Sequence, residues 1–99
     1  MQLSLDYLAK SGWTCQIVER RLPIPGKHVT QDCFGFGDIL AYTSRLGGGI
    51  VLVQTTSWGN VNARLKKIRS SVHLEGWLAA GGNICVHGWG PKGLREEWI

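Results

Sequence analysis

Hydrophobic positions recur along this chain at two spacings, and the switches between them predict its elements. From Ser4 to Ser11, Leu5, Leu8 and Ala9 fall on one helical face and Gly12 ends the run, which predicts a short helix. Trp13 to Arg20 then alternates. Trp13, Cys15, Ile17 and Glu19 share one side and Thr14, Gln16, Val18 and Arg20 the other, which is strand periodicity. Between Arg21 and Gly37, two prolines and three glycines break both periods, so a long irregular loop is expected there.

Asp38 to Thr43 reads as a second strand, Gly47 to Gly49 as a hairpin turn, and Ile50 to Thr55 as the returning strand. That returning run is apolar on both faces at first, which marks a central strand. Asn60 is placed to cap a helix from Val61 to about Ser70, with Val61, Leu65 and Ile68 on its inner face. A shorter helix from His73 to Ala80 stops at Gly81 and Gly82. Asn83 to His87 is a further strand, and Leu94 to Ile99 a last edge strand. The order α-β-β-β-α-β predicts one α/β domain over residues 1–99, with a mixed central sheet and flanking helices.

Composition narrows the setting. Hydrophobic residues make up 43% of the 99, enough for a core and too many for a disordered chain. Asp6 and Lys10 interrupt the early apolar residues, so no secretory segment is expected, and no run is long enough to span a bilayer. A soluble, cytoplasmic protein without membrane partners is expected. Cys15, Cys33 and Cys85 are odd in number and lack CxxC spacing, which argues against disulfides. No histidine stands at a familiar zinc-ligand spacing from a cysteine, so a structural zinc is not expected. Eleven Lys and Arg against seven Asp and Glu leave a net charge of +4, which suits a phosphate-bearing partner.

Candidate chemistry gathers at the strand ends. Asp38 opens a strand, and across the hairpin Gln54 and Thr56 lie two residues apart on one face. The first strand could bring Glu19 beside them. A metal-assisted phosphodiesterase needs oxygen ligands for a hard divalent cation and a cation or base near the attacking water. Asp38 would supply one ligand, and the Thr55 carbonyl another.

The succession helix, strand, loop, Gly37-Asp38-Ile39-Leu40-Ala41, hairpin, Val51-Leu52-Val53-Gln54-Thr55-Thr56, helix resembles the PD-(D/E)XK nuclease superfamily. It is most similar to the branches like Holliday junction resolvases and VRR-NUC nucleases, and the likeness runs from Leu5 to Val86. It implies a restriction-endonuclease-like sheet, Mg²⁺ or Mn²⁺ as cofactor, and hydrolysis of DNA phosphodiesters. Asp38 matches the family's first acidic position. Gln54 stands where the family has a carboxylate and Thr56 where it has lysine. An amide weakens Mg²⁺ binding, and the missing lysine removes a charge that stabilises the transition state. Lys66, or Lys67 beside it, could return that charge from the following helix. The implied metal ligands are Asp38, Gln54 and Thr55, with Glu19, Thr56 and Lys66 completing the catalytic set. The family's early helical Glu has only Gln2 or Asp6 as a counterpart.

Each of these residues also has a plainer account. Asp38 could be a turn residue, Gln54 half of a satisfied polar pair with Thr56 or with Asp38, and Asp32 a solvated turn residue. The basic helix face of Arg64, Lys66, Lys67 and Arg69 is by default solvated, and otherwise meets phosphate with Arg20, Arg21 and Lys27. Trp58 is a candidate for stacking on a base. Three functions follow: an endonuclease or junction resolvase, a non-catalytic nucleic-acid-binding module, and an oligomerising protein-binding domain. The expected partners are DNA, branched DNA included, and a second copy of the chain in a homodimer.

Overall fold

The fold was taken from a computed structural model, which describes residues 1–45 and 48–99. The chain runs α1 (Gln2–Lys10), β1 (Thr14–Ile17), β2 (Arg20–Leu22), β3 (Val29–Gln31), β4 (Ile39–Thr43) and β5 (Gly49–Ser57). A 3₁₀ turn (Trp58–Asn60), α2 (Val61–Arg69) and α3 (Leu74–Ala79) cross over to β6 (Gly82–Gly90), and β7 (Gly93–Trp98) follows. Five strands form one sheet in the order β1-β4-β5-β6-β7. Pairing is antiparallel except between β5 and β6, which are parallel because the α2–α3 crossover returns the chain in the same direction. The domain is therefore α/β, with a mixed sheet covered by helices.

The sheet is covered on both faces at its centre, which explains why Val51 to Gln54 of β5 are all buried. One face packs Val51, Val53, Ile39, Ala41 and Cys85 under Leu8 of α1. The other packs Leu52, Ile84, Val86 and Phe36 under Val61, Leu65 and Ile68 of α2. Gly88 lets α2 come this close, since a Cβ there would strike the Val61 side chain and meet Trp58 Cα at 3.2 Å.

Three expectations change. The segment from Arg21 to Gly37 is not irregular throughout, because β2 and β3 pair antiparallel, Arg20 with Gln31 and Leu22 with Val29, as a separate two-stranded sheet. The prolines did not forbid this: Pro23 and Pro25 fall between the strands, where no ladder donor is needed. The first strand stops at Ile17 instead of reaching Arg20. The expected turn at Gly47 to Gly49 is only partly covered: Gly47 lies outside the described residues, Gly48 has φ +77°, and Gly49 already opens β5. Among the described residues, no helix is long and apolar enough to cross a membrane.

Candidate active site

β5 outruns its neighbour. β4 begins at Ile39 opposite Val53, so beyond that point the β4 side of β5 has no strand partner. The carboxylate of Asp38 takes its place. Its Oδ2 accepts from the Thr55 amide at 2.8 Å, Thr55 Oγ1 at 3.1 Å and Gln54 Nε2 at 2.8 Å. The Asp38 backbone is fixed as well, its N–H donating to the Val53 carbonyl at 2.9 Å. Within a strand, one residue's N–H and C=O point the same way, so the Thr55 carbonyl faces this same ledge. Gly37 allows the preceding turn to press on the sheet, as a Cβ there would come within 2.6 Å of Leu52.

Glu19 arrives through a bulge. The amides of Val18 and Glu19 both donate to the Asp38 carbonyl, at 2.9 and 3.3 Å, so two residues oppose one. Strict alternation would keep Glu19 with Cys15 and Ile17 on the α1 face. The extra residue turns it to the side of Asp38 instead.

A third carboxylate joins them. Oxygens of Glu19, Asp32 and Asp38 lie within 4.8 Å of one another. Asp32 was expected to be a solvated turn residue, yet its side chain is only 17% exposed. The cause is the tight turn that follows it: Phe34 at φ 55° and Gly35 at φ 79° fold the chain so that Cys33 bridges to Gly37. Asp32 is thereby laid against Asp38. The glycines at 35 and 37 were the signal in the sequence that could have revealed this return. Burial pushes the Asp32 carboxyl above its ordinary value, helped by its hydrogen bond with Asp38 and by that residue's charge, while Lys67 and Gln54 act the other way.

These groups line an open cavity of about 480 Å³, whose other wall carries Arg64 and Lys67. Lys67 Nζ stands 3.8 Å from Asp32 Oδ2. Gln54 is 3% exposed, and its Oε1 is buried without a hydrogen-bond partner among the described residues. Such an orphaned acceptor beside three carboxylates fits an all-oxygen donor set for a hard divalent cation.

The structure thus brings Asp38, Gln54, Thr55 and Glu19 together and leaves others apart. Thr56 is half-buried opposite Gly88 and does not line the cavity. Lys66 is exposed and also lies off the cavity, because positions 64 and 67 share a helical ridge that position 66 does not. Lys67 takes the place expected of Lys66. Gln2 and Asp6 bond to each other at 2.9 Å and do not line the cavity. Arg20 donates to Gln31 at 2.8 Å, and Arg21 to His28 Nδ1 at 2.9 Å, both on the β2–β3 ribbon with Lys27. Trp58 is 43% exposed, with its Cβ packed over Gly90.

On the opposite face, under α1, Cys85, His87 and Glu96 also converge within 4.8 Å. The sequence spacing did not suggest it. A strand puts residues two apart on one face, and β7 sets Glu96 opposite His87. His87 Nε2 meets Glu96 Oε2 at 2.8 Å and Nδ1 meets Ser4 Oγ at 2.9 Å, while Trp89 Nε1 donates to Ser4 Oγ at 2.7 Å. With Nε2–H donating to the carboxylate, Nδ1 accepts the Ser4 hydroxyl proton, and every imidazole position is satisfied. Burial lowers the His87 pKa against the pull of Glu96, and burial raises the Cys85 thiol. This network pins α1 to β6 and β7.

Fold and site together define a small α/β domain with a carboxylate-lined, cation-rimmed cavity at one end of a mixed sheet. Comparison with protein-family models, curated proteins and solved structures finds no match.

Proposed function

We propose that this protein is a metal-dependent deoxyribonuclease of the PD-(D/E)XK kind, acting on duplex or branched DNA. The observation that carries the reading is the carboxylate trio Glu19, Asp32 and Asp38 beside the orphaned Gln54 Oε1, in a cavity rimmed by Arg64 and Lys67. Supporting it, β1, β4 and β5 form an antiparallel meander and a helical crossover leads to a parallel β6. A mixed α/β sheet is the general class that the sequence resemblance implies.

Asp38, Asp32 and Glu19 would hold Mg²⁺ or Mn²⁺, with Gln54 Oε1 and the Thr55 carbonyl completing the oxygen set. The cation, when bound, acidifies a water and polarises the scissile phosphate. Asp38 is held rigid by its three hydrogen bonds, which preorganises the ligand set. Gln54 Nε2 orients Asp38, and its buried, unpartnered Oε1 is the candidate further ligand. Asp32 restores the carboxylate that the motif lacks, from outside the motif strand. Lys67 and Arg64 receive the phosphate and stabilise charge developing on it.

Cutting both strands of a branched substrate takes two sites, which a two-fold homodimer would supply. Three free cysteines accord with the reducing cytoplasm. The test is cleavage of supercoiled plasmid and of a four-way junction with Mg²⁺, Mn²⁺ or EDTA. Weak, metal-dependent nicking that Asp38→Asn abolishes is expected. DNA binding without nicking in any divalent metal would instead identify a non-catalytic binding module. Absence of both would leave a protein-binding domain.

A further inference from the structure

The two outer ligands of the acidic trio flank one feature. Glu19 directly precedes β2 and Asp32 directly follows β3, so the cavity sits at the base of the β2–β3 ribbon. Thr30 and Gln31 of that ribbon line the cavity. Among the described residues, the ribbon is paired to no strand of the main sheet. From Arg20 to Gln31 every residue is exposed except Leu22 and Val29, which face each other across the pair and are half-buried. At about 3.3 Å per residue it reaches on the order of 15 Å from base to tip.

Its chemistry is one-sided. Residues 20–31 hold Arg20, Arg21, Lys27 and His28 and no carboxylate. The tip is Pro23-Ile24-Pro25, with Ile24 41% exposed. Two prolines stiffen it, and its backbone is closed by Ile24 N–H to the Leu22 carbonyl at 2.9 Å and Lys27 N–H to the Ile24 carbonyl at 3.2 Å. A rigid apolar point between cations, on a projecting ribbon, suits a duplex groove. Cations are drawn to phosphates and to the negative minor groove, and an isoleucine or proline can wedge between base steps.

We propose that the β2–β3 ribbon is a minor-groove arm for duplex DNA. Arg21 and Lys27 straddle the phosphates, and Ile24 wedges at a base step beside the strand presented to the cavity. The inference deepens the nuclease reading, on which it rests for the chemistry at the ribbon's base. Kinking at the tip would bring the adjoining phosphodiester down to the carboxylates. A membrane surface also accepts an apolar tip among cations, but the ribbon's position on the wall of a carboxylate cavity favours a phosphodiester polymer.

The test uses the whole chain with a duplex carrying 2-aminopurine, in Ca²⁺ to withhold cleavage. Each cation withdrawn from a phosphate should flatten the plot of log affinity against log salt by about 0.9, so Arg21→Ala with Lys27→Ala should flatten it by about 1.8. Ile24→Ser should keep the slope and lose the rise in 2-aminopurine fluorescence that unstacking gives. An unchanged slope in the double variant overturns the arm, as does a fluorescence rise that survives Ile24→Ser. Equal affinity for phosphatidylserine vesicles also overturns it. None of these variants touches a carboxylate. A protein that unstacks DNA but never cleaves it would sink the nuclease reading and keep the arm. One that cleaves with an unchanged slope would do the reverse.

Discussion

Under the proposed nuclease reading, Gln54→Glu supplies the carboxylate that the resemblance implies at this position, and the structure says what that costs without metal. Gln54 Nε2 donates to Asp38 Oδ2 at 2.8 Å, and both side chains are 3% exposed. The substitution removes a hydrogen bond to a charged group, a contribution of about 1.5–3 kcal/mol. It also sets a fourth carboxylate against three that lie within 4.8 Å of one another. Partial protonation of the new group relieves some of this, so the net loss is taken as about 3 kcal/mol. In a domain of this size each kcal/mol moves Tm by about 4–8 °C, which places the metal-free variant roughly 12–24 °C below the wild type. Mn²⁺ should reverse the order of response. At a hundredfold excess over Kd a ligand adds about 2.7 kcal/mol, and the variant, with the tighter site, should gain more than the wild type. Differential scanning fluorimetry in EDTA and in Mn²⁺ reads both. A variant as stable as wild type in EDTA, or one that Mn²⁺ raises no further than wild type, would show that Gln54 is not at a metal site.

Asp32→Asn removes one of three crowded charges. It should raise Tm in EDTA while weakening Mn²⁺ binding by about tenfold or more, and fluorimetry with a metal titration checks both signs. Ser4→Ala leaves Trp89 Nε1 and His87 Nδ1 without their partner under α1 and should cost about 2 kcal/mol in urea unfolding. His87 has a folded pKa below its ordinary 6.5, because burial disfavours the imidazolium. The unfolded chain therefore takes up the proton first, so this contribution is full above 6.5 and is lost as pH falls through the lowered folded value. Melts from about pH 5 to about pH 7 should show that loss in the wild type and a flatter profile in His87→Gln.

The layers of this fold were legible because periodicity reports burial. Val61, Leu65 and Ile68 faced the sheet as their helical spacing required, and the β-branched run in β5 proved to be the buried central strand. Asp38 and Gln54 could be placed side by side because a short connection between consecutive strands forces antiparallel neighbours. The ribbon was not legible, since prolines that forbid a central strand are harmless between two short ones. Glu19 was placed beside Asp38 for an incomplete reason. Strand alternation points it to the other face, and only the bulge at Val18 and Glu19 brings it round. Asp32 was missed because its burial depends on Phe34 adopting a left-handed conformation, which a side-chain pattern does not encode. Lys66 and Lys67 were both candidates to reach the site, and the helical phase, about 100° per residue, turns Lys67 to the cavity and Lys66 away from it. Cys85, His87 and Glu96 meet through pairing of β6 with β7, a contact between strands that spacing within one strand cannot show.

If Glu19, Asp32 and Asp38 hold a divalent cation, as proposed, calorimetric titration of the metal-free protein with Mn²⁺ will show saturable binding of a single ion. Asp38→Asn should abolish that binding. Cys85→Ser should leave that binding unchanged, since the second cluster lies on the opposite face of the sheet. No saturable heat in the wild type, or binding that survives Asp38→Asn and disappears in Cys85→Ser, would contradict it.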